Sequence, residues 1–152
     1  MALPIKGTGS GATVEISTDG GTQWKKLLSV TKVSMPEFTR NTVDVTDTES
    51  FKDNDQMKEF ATGFIEAGDM TVEGFVRADE NEGMTAAETA FYNGEPVKIR
   101  AVGPAWMQKA LVYPGLVTTL KSIGDMDPEN GVPYSLTFKI TGKPEVTKTA
   151  GG

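Results

Sequence analysis

The residue types that carry most protein chemistry are missing or scattered in this chain of 152 residues, which has no Cys and no His. Their absence excludes thiol nucleophiles, Ser–His pairs, imidazole proton shuttles and the usual zinc sites. Ser29 and Lys32 have the spacing of a Ser–Lys nucleophile pair. That spacing places both side chains on one face only in a helix, and the local pattern predicts a strand. Carboxylates are numerous, but no spacing selects an acid–base pair among them.

A glycine-rich motif stands at residues 7–12, Gly-Thr-Gly-Ser-Gly-Ala, and matches the string of a dinucleotide-binding loop. Such a loop follows a strand and begins a helix, whereas only six residues precede this one and a predicted strand follows it. We therefore interpret residues 1–11 as an N-terminal arm.

Two acidic turns resemble calcium loops and fail the spacing test. A loop beginning at Asp125 needs Gly at its sixth position and Glu at its twelfth, where the sequence has Asn130 and Leu136. A loop beginning at Asp53 has Lys58 in place of the Gly. We predict no metal, no cofactor and no enzymatic activity.

Charge is uneven along the chain. The net charge of −6 disfavours a protein that binds duplex DNA by neutralising phosphates. Thirteen of the 21 acidic and four of the 15 basic residues lie between Glu37 and Glu82, which leaves a net charge of +3 on the remainder. A domain with one acidic and one basic part can attract its own copies, or the acids can simply keep the surface soluble. No apolar run has the length of a membrane span and no signal-peptide pattern begins the chain, which favours folding in the cytoplasm.

Short alternating runs between Gly and Pro residues predict strands. They lie near residues 14–16, 24–30, 42–46, 70–77, 97–101, 110–120 and 134–140. Pro114-Gly115 predicts a bulge or bend in the longest run. Thr85 and Glu88 form a capping box, and Asn93-Gly94 a stop, for a helix over residues 85–93. The pattern predicts a mainly β fold: a β-sandwich or partly closed barrel of about seven or eight strands, with one short α-helix and a long irregular loop.

The long irregular loop covers residues 46–68, where neither a strand nor a helix period is visible. A loop of this length within a compact domain is usually functional or disordered. Its apolar side chains need a surface to bury against, and acids lie among them. The candidate contact residues are Asp47, Phe51, Asp53, Asp55, Met57, Phe60 and Phe64. We predict a single domain over residues 1–152, with a flexible tail from residue 143 to residue 152.

The order of these elements carries a resemblance to a known family. Its carriers are the strand hairpin with the acidic loop (44–69), the strand leading into the helix (69–93), the junction Tyr-Asn-Gly-Glu-Pro-Val-Lys-Ile-Arg (92–100), and the long bent strand before the closing strand. This order resembles the tail tube (major tail) proteins of long-tailed bacteriophages and is similar to the N-terminal domain of the lambda tail tube protein.

The resemblance implies a structural protein that forms hexameric rings, which stack into a hollow tube through which genome DNA is ejected. It implies contacts with copies of itself and with other tail proteins, such as the tape measure, the tail tip or baseplate and the tail terminator, and no membrane insertion. The protein would be assembled in the host bacterial cytoplasm and reside in the virion tail. Within that picture, residues 46–68 would form the contact between rings, and Glu73 would face the lumen beside transiently passing DNA.

Three alternatives remain open on the sequence. A type VI secretion-like tube ring protein would have a related fold. A monomeric β-sandwich that binds glycans would carry clustered exposed aromatic residues, for which Trp24 and Trp106 are the available tryptophans. A hydrolase that uses carboxylates is the remaining enzymatic alternative.

Overall fold

The computed structural model describes Gly7, Gly9 and residues 11–53 and 55–148, with the backbone alone at Ser50. These residues form ten strands, two α-helices and one 3-10 turn. The elements are β1 (Thr13–Ser17), β2 (Lys25–Lys26), β3 (Val30–Ser34), β4 (Phe38–Asp44), α1 (Thr48–Asp53), β5 (Phe60–Ala67), β6 (Asp69–Phe75), α2 (Glu82–Asn93), β7 (Pro96–Val102), the 3-10 turn (Ala105–Met107), β8 (Lys109–Lys121), β9 (Pro133–Ile140) and β10 (Glu145–Lys148). The predicted mainly β fold is confirmed.

Eight strands form one antiparallel sheet in the order β2-β1-β7-β8-β9-β6-β3, with β10 paired to the first part of β8. Within the described residues the path of paired strands runs from β2 to β3 and does not close into a barrel. The remaining two strands, β4 and β5, form a separate sheet of their own.

The core lies on one face of the large sheet, and the alternation of the strands places it there. Met70 and Val72 of β6 pair with Phe138 and Leu136 of β9, and all four side chains are buried. Ile16 continues the buried face on β1. The buried side chains form one cluster, to which α2 contributes a face. The period-2 pattern therefore fixes which side of each core strand is covered.

Helix α2 begins and ends at identifiable caps. Asn81 is the N-cap, and its side-chain oxygen accepts the N–H of Met84 (3.4 Å) and of Leu28 (3.2 Å). Gly94 ends the helix in the left-handed conformation (φ 67°), so the predicted stop is confirmed. The predicted capping box at Thr85 is wrong, because the helix begins one turn earlier and Asn81 supplies the cap.

Two regions predicted to be irregular contain regular structure. The segment 46–68 includes α1 and the whole of β5. The structure therefore has two α-helices where one was predicted, and most of the predicted loop is a helix and one strand of a hairpin. The predicted flexible tail contains β10, whose residues 145–148 pair with β8 residues 109–112. Residues 149–152, Asn54 and most of the predicted N-terminal arm lie outside the described residues.

Two strand predictions differ in detail from the structure. The run 24–30 is divided into β2 and the start of β3, with Ser29 in the left-handed region (φ 54°) between them. Pro114-Gly115 pairs with Lys98 and Val97 without a shift of register, so no bulge lies there. The irregularity of β8 lies three residues further on, between Val117 and Thr119 where β8 pairs with β9.

Candidate subunit-contact surface

The two-stranded sheet stands apart from the rest of the fold. We call β4, α1, β5 and the residues between them the arm (residues 38–67). Its strands pair only with each other, and every residue of β4 is exposed. A lone two-stranded hairpin is marginally stable in water, because it has no face to bury. Most of the arm's surface is therefore left exposed by the rest of the described chain.

Local polar contacts hold the far end of the arm together. The hydroxyl of Thr46 accepts the N–H of Glu59 (2.8 Å) and donates to the carbonyl of Glu59 (3.2 Å). The Asp44 carboxylate accepts the N–H of Thr46 (2.9 Å), and hydrogen bonding from Thr46 lowers the pKa of Asp44 below its usual value. Asp47 accepts the N–H of Glu49 (3.0 Å) at the start of α1. These contacts fix the strand ends around the short helix.

Large apolar side chains are exposed along the whole arm. They are Phe38, Val43, Val45, Phe51, Met57, Phe60, Phe64 and Ile65. The most exposed is Phe64, with 87% of its surface open to solvent. Single exposed apolar residues are common, whereas eight within one segment of 30 residues are a candidate interaction surface.

A bulge in β5 presents Phe64. Arg40 pairs with Ile65 and Thr42 with Thr62, so two residues of β5 stand opposite the one residue of β4 between those pairs. Such a bulge breaks the alternation and redirects a side chain. The guanidinium of Arg40 donates to the carbonyl of Gly63 at the bulge (3.2 Å). The bulge is thus a defined feature of the hairpin and not a frayed end.

The arm is also acidic. It has seven acidic and three basic residues, a net charge of −4. No described residue forms an ion pair with Glu49, Asp53, Asp55 or Glu59. The acids therefore leave a negative field around the exposed apolar side chains.

Two residues next to α1 hold left-handed backbone conformations, Asp55 (φ 48°) and Gln56 (φ 68°). Each costs on the order of 1 kcal/mol for a residue other than Gly. The N–H of Gln56 donates to the carbonyl of Phe51 (3.0 Å), which closes the turn after the helix. The strained turn places Phe51 and Asp55 at the outer end of the arm.

The arm is anchored to the large sheet at its root. The N–H of Gly68 donates to the carbonyl of Glu37 (2.7 Å), and the Phe38 ring stacks on Tyr113 of β8 with 6.4 Å between centroids. Lys139 donates to the carbonyl of Ala67 (3.3 Å). Beside the root lies a cleft of about 480 Å³, bounded by the residues that follow β9.

The structure brings all seven sequence-predicted contact residues onto the arm, and the four apolar ones among them are exposed. Their contact role stays a prediction. Ile65, another apolar residue of the predicted loop, is also exposed, and sequence analysis missed Val43 and Val45 on the same arm. No local sequence pattern could have found them, because the sequence does not show that β4 lacks a buried face.

Glu73 lies on a different surface. It is exposed on the outer face of β6, and its neighbours in register are Lys32 of β3 and Ser135 of β9. On the same face, the carboxylate of Asp69 lies 4.0 Å from the ammonium group of Lys139. The face is polar with mixed charge, and its place in a lumen stays a prediction.

Within the described part of the chain, no three Asp or Glu residues lie close enough together to hold a metal ion. The residues near Asp127 form a turn, in which its carboxylate accepts the N–H of Glu129 (2.9 Å). Neither helix has the length and apolar character that crossing a membrane requires.

The eight-stranded sheet, the helix α2 and the projecting hairpin together define the tail-tube fold. A chain from the tail of an empty gene transfer agent particle, refined with C6 symmetry, is 17% identical and superposes with a TM-score of 0.68 over 93% of this chain and 99% of that one. A chain of the SPP1 tail tube is 14% identical, with a TM-score of 0.65 over 97% of this chain and 81% of that one.

A third similar chain comes from a contractile assembly. It belongs to the structure of the sheath/tube terminator of PVC, an extracellular contractile injection system, in its extended state. It is 11% identical, with a TM-score of 0.62 over 96% of this chain and 99% of that one. No protein-family model and no curated protein matches the sequence.

Proposed function

We propose that this protein is the structural subunit of a hollow tail tube. Copies of the chain, each a single tube domain, assemble into hexameric rings, and the rings stack into a conduit for genome DNA. The observation that supports this proposal is a fold shared over nearly the whole chain with tail-tube structures, together with an arm whose large apolar side chains are exposed.

The arm would form the contact between rings. Its candidate residues are Asp47, Phe51, Asp53, Asp55, Met57, Phe60 and Phe64. Burial of apolar surface contributes about 25 cal/mol per Å², and each ring repeats the contact in every subunit. A modest contact of one arm therefore becomes a strong joint between rings.

Glu73 remains our candidate for the lumen. In a tube, the exposed face of β6 and β9 would carry few uncompensated positive charges, because Lys139 lies beside Asp69 and Lys32 pairs in register with Glu73. A surface without a positive field leaves DNA phosphates free to move past it. Replacing Glu73 by Lys should leave tubes intact and slow DNA release. Ejection at the normal rate would remove Glu73 from the path.

This assignment places the protein in a virion tail, assembled in the host cytoplasm and joined there to tape measure, tip or baseplate and terminator proteins. The type VI secretion-like alternative differs in the machine that the tube serves. No catalytic step is part of the proposal.

Glycan binding has less support than tube assembly. The ring of Trp24 is covered by the Arg100 guanidinium, whose central carbon lies 4.4 Å from the ring centroid. Gly7 packs on the indole of Trp106 so closely that an added β-carbon would lie 2.8 Å from its nitrogen. Both tryptophans are half-buried, and part of each ring is already in contact with a neighbouring residue.

Electron microscopy of the purified protein tests the assignment. We expect rings or tubes of uniform bore. Replacing residues 39–66 by a short Gly-Ser linker should leave the eight-stranded sheet folded, with a near-native circular dichroism spectrum apart from the lost arm, and should abolish tube growth.

The matched control replaces the exposed turn at residues 125–130 by Gly and Ser residues of equal length, which leaves the arm intact and should leave tubes intact. Tubes formed by the arm-deleted protein at the same concentration would place the contact between rings elsewhere. A wild-type protein that stays monomeric at every concentration would overturn the assignment itself.

A further inference from the structure

A basic patch lies on the outer face of the large sheet, at the end of the strand order formed by β2, β1 and β7. Glu15 of β1 pairs in register with Lys26 of β2 on one side and with Arg100 of β7 on the other. Lys98 stands two residues before Arg100 on the same face. We call Lys26, Lys98 and Arg100 the basic patch. Since neighbouring strands are about 4.8 Å apart, the three cations lie within one small area.

The charge of the basic patch is only partly neutralised. The guanidinium of Arg100 lies 2.6 Å from the Glu15 carboxylate. For Lys26 and Lys98, no acidic group of a described residue lies within ion-pair distance. The Asp19 carboxylate accepts the N–H groups of its own turn and keeps its negative charge. With Glu15 and Asp19 counted, the three cations leave a net charge of +1, and Lys26 and Lys98 are available to an acidic partner.

An apolar surface adjoins the basic patch. Leu116 of β8 is exposed and pairs in register with Pro96, the first residue of β7. Arg100 lies over the ring of Trp24, which fixes the guanidinium in place. A partner that combines acids with exposed aromatic side chains matches both parts of this surface.

The arm has that combination. Residues 44–59 contain six acidic and two basic residues, a net charge of −4, and they include Phe51 and Met57. Both faces of its two-stranded sheet are open. Because the arm and the basic patch belong to the same chain, each copy offers one of each.

We propose that the outer end of the arm of one copy docks on the basic patch of a second copy, with Asp53 and Asp55 facing Lys26 and Lys98. This proposal rests on the tube assignment and adds the surface that receives the arm. The contact is head-to-tail, so it repeats from copy to copy instead of ending in a dimer. Attraction between opposite charges speeds the encounter of two copies, and repulsion between like charges disfavours other arrangements.

The charge contribution predicts a salt dependence of definite sign. Charges separated by several ångströms are largely screened in 1 M NaCl, where the Debye length is about 3 Å, and much less in 0.1 M NaCl, where it is about 10 Å. The concentration needed for assembly should therefore rise about tenfold between these two conditions. Assembly that is unchanged or favoured by NaCl would contradict the proposal and indicate a purely apolar contact.

Charge exchange tests the pairing directly. Lys26→Glu/Lys98→Glu places two carboxylates opposite the acidic end of the arm, and Asp53→Lys/Asp55→Lys places two ammonium groups opposite the basic patch. Each variant alone should need at least about tenfold more protein than the wild type to form tubes by electron microscopy and sedimentation. An equimolar mixture of the two should assemble within about threefold of the wild-type concentration, because each arm then meets a patch of opposite charge.

The control is Lys109→Glu/Lys148→Glu, which makes the same change of net charge at exposed lysines outside the patch and should assemble like the wild type. If wild-type tubes form, the arm deletion abolishes them and the patch variant still assembles normally, the proposed pairing is wrong and the tube assignment stands. A mixture that fails to assemble also overturns the pairing. If the wild type forms no tubes, both proposals fail.

Discussion

Replacing Phe64 by Ser is the sharpest single test of the arm. Phe64 is 87% exposed in the lone chain, so almost its whole side chain is available for burial by a neighbouring copy. Full burial of a Phe side chain contributes about 1.5–3 kcal/mol. Since every 1.4 kcal/mol is tenfold in an equilibrium constant, loss of the ring should weaken each contact by roughly ten- to a hundredfold.

The same exposure predicts no effect on folding. A side chain that is open to solvent in the folded subunit loses little when it is shortened, so the melting temperature of the unassembled Phe64→Ser protein should stay close to that of the wild type. Light scattering and sedimentation over a concentration series measure assembly, and circular dichroism measures melting.

The matched control is Tyr92→Ser, which removes another exposed aromatic ring (78% exposed) from the end of α2, away from the arm. It should change neither assembly nor melting. Assembly of Phe64→Ser at the wild-type concentration would refute the burial of this ring, and an equal loss of assembly in the Tyr92 variant would show a general loss of solubility.

Three further predictions concern the fold. Gly74→Ala places a methyl group 2.5 Å from the hydroxyl oxygen of Tyr134, and this overpacking should lower the free energy of unfolding, measured with urea, by about 1–3 kcal/mol. Tyr134→Phe removes the hydroxyl that donates to the Leu28 carbonyl (2.7 Å) and should cost about 1–3 kcal/mol in the same assay, whereas unchanged stability would show that water replaces the bond. Hydrogen bonds, chiefly from the Gln23 N–H, lower the pKa of Asp19 below 3.8 in the folded protein. The wild type should therefore melt at a higher temperature than Asp19→Asn above pH 3.8. This difference in melting temperature should disappear as the pH falls through the lowered pKa.

The core strands could be predicted because each has one buried face. The alternation from Tyr134 to Ile140 predicts β9, and the structure buries the same alternate residues. Strand β5 was missed for the opposite reason. Both of its faces lie outside the core, so no period-2 pattern is imposed, and the bulge at Gly63 and Phe64 disrupts what remains. A strand without a buried face gives no periodic signal in the sequence.

The start of α2 was missed because of a tertiary contact. Gly83 lies in the first turn, where glycine normally disfavours a helix. Here the helix passes so close to β2 that an added β-carbon would lie 2.8 Å from the backbone nitrogen of Leu27. The approach requires Gly at this position, and nothing local in the sequence indicates that the helix continues through it.

The attachment of the arm by its root alone has a consequence for local unfolding. Its backbone hydrogen bonds run within its own two strands, so the arm can open while the eight-stranded sheet stays intact. Amide hydrogens of β4 and β5 should therefore exchange with solvent far faster than those of β6 and β9, and a protease should cut the free subunit there first. Burial of the arm by a neighbouring copy would slow both processes, so exchange rates and cleavage patterns distinguish free subunits from assembled ones.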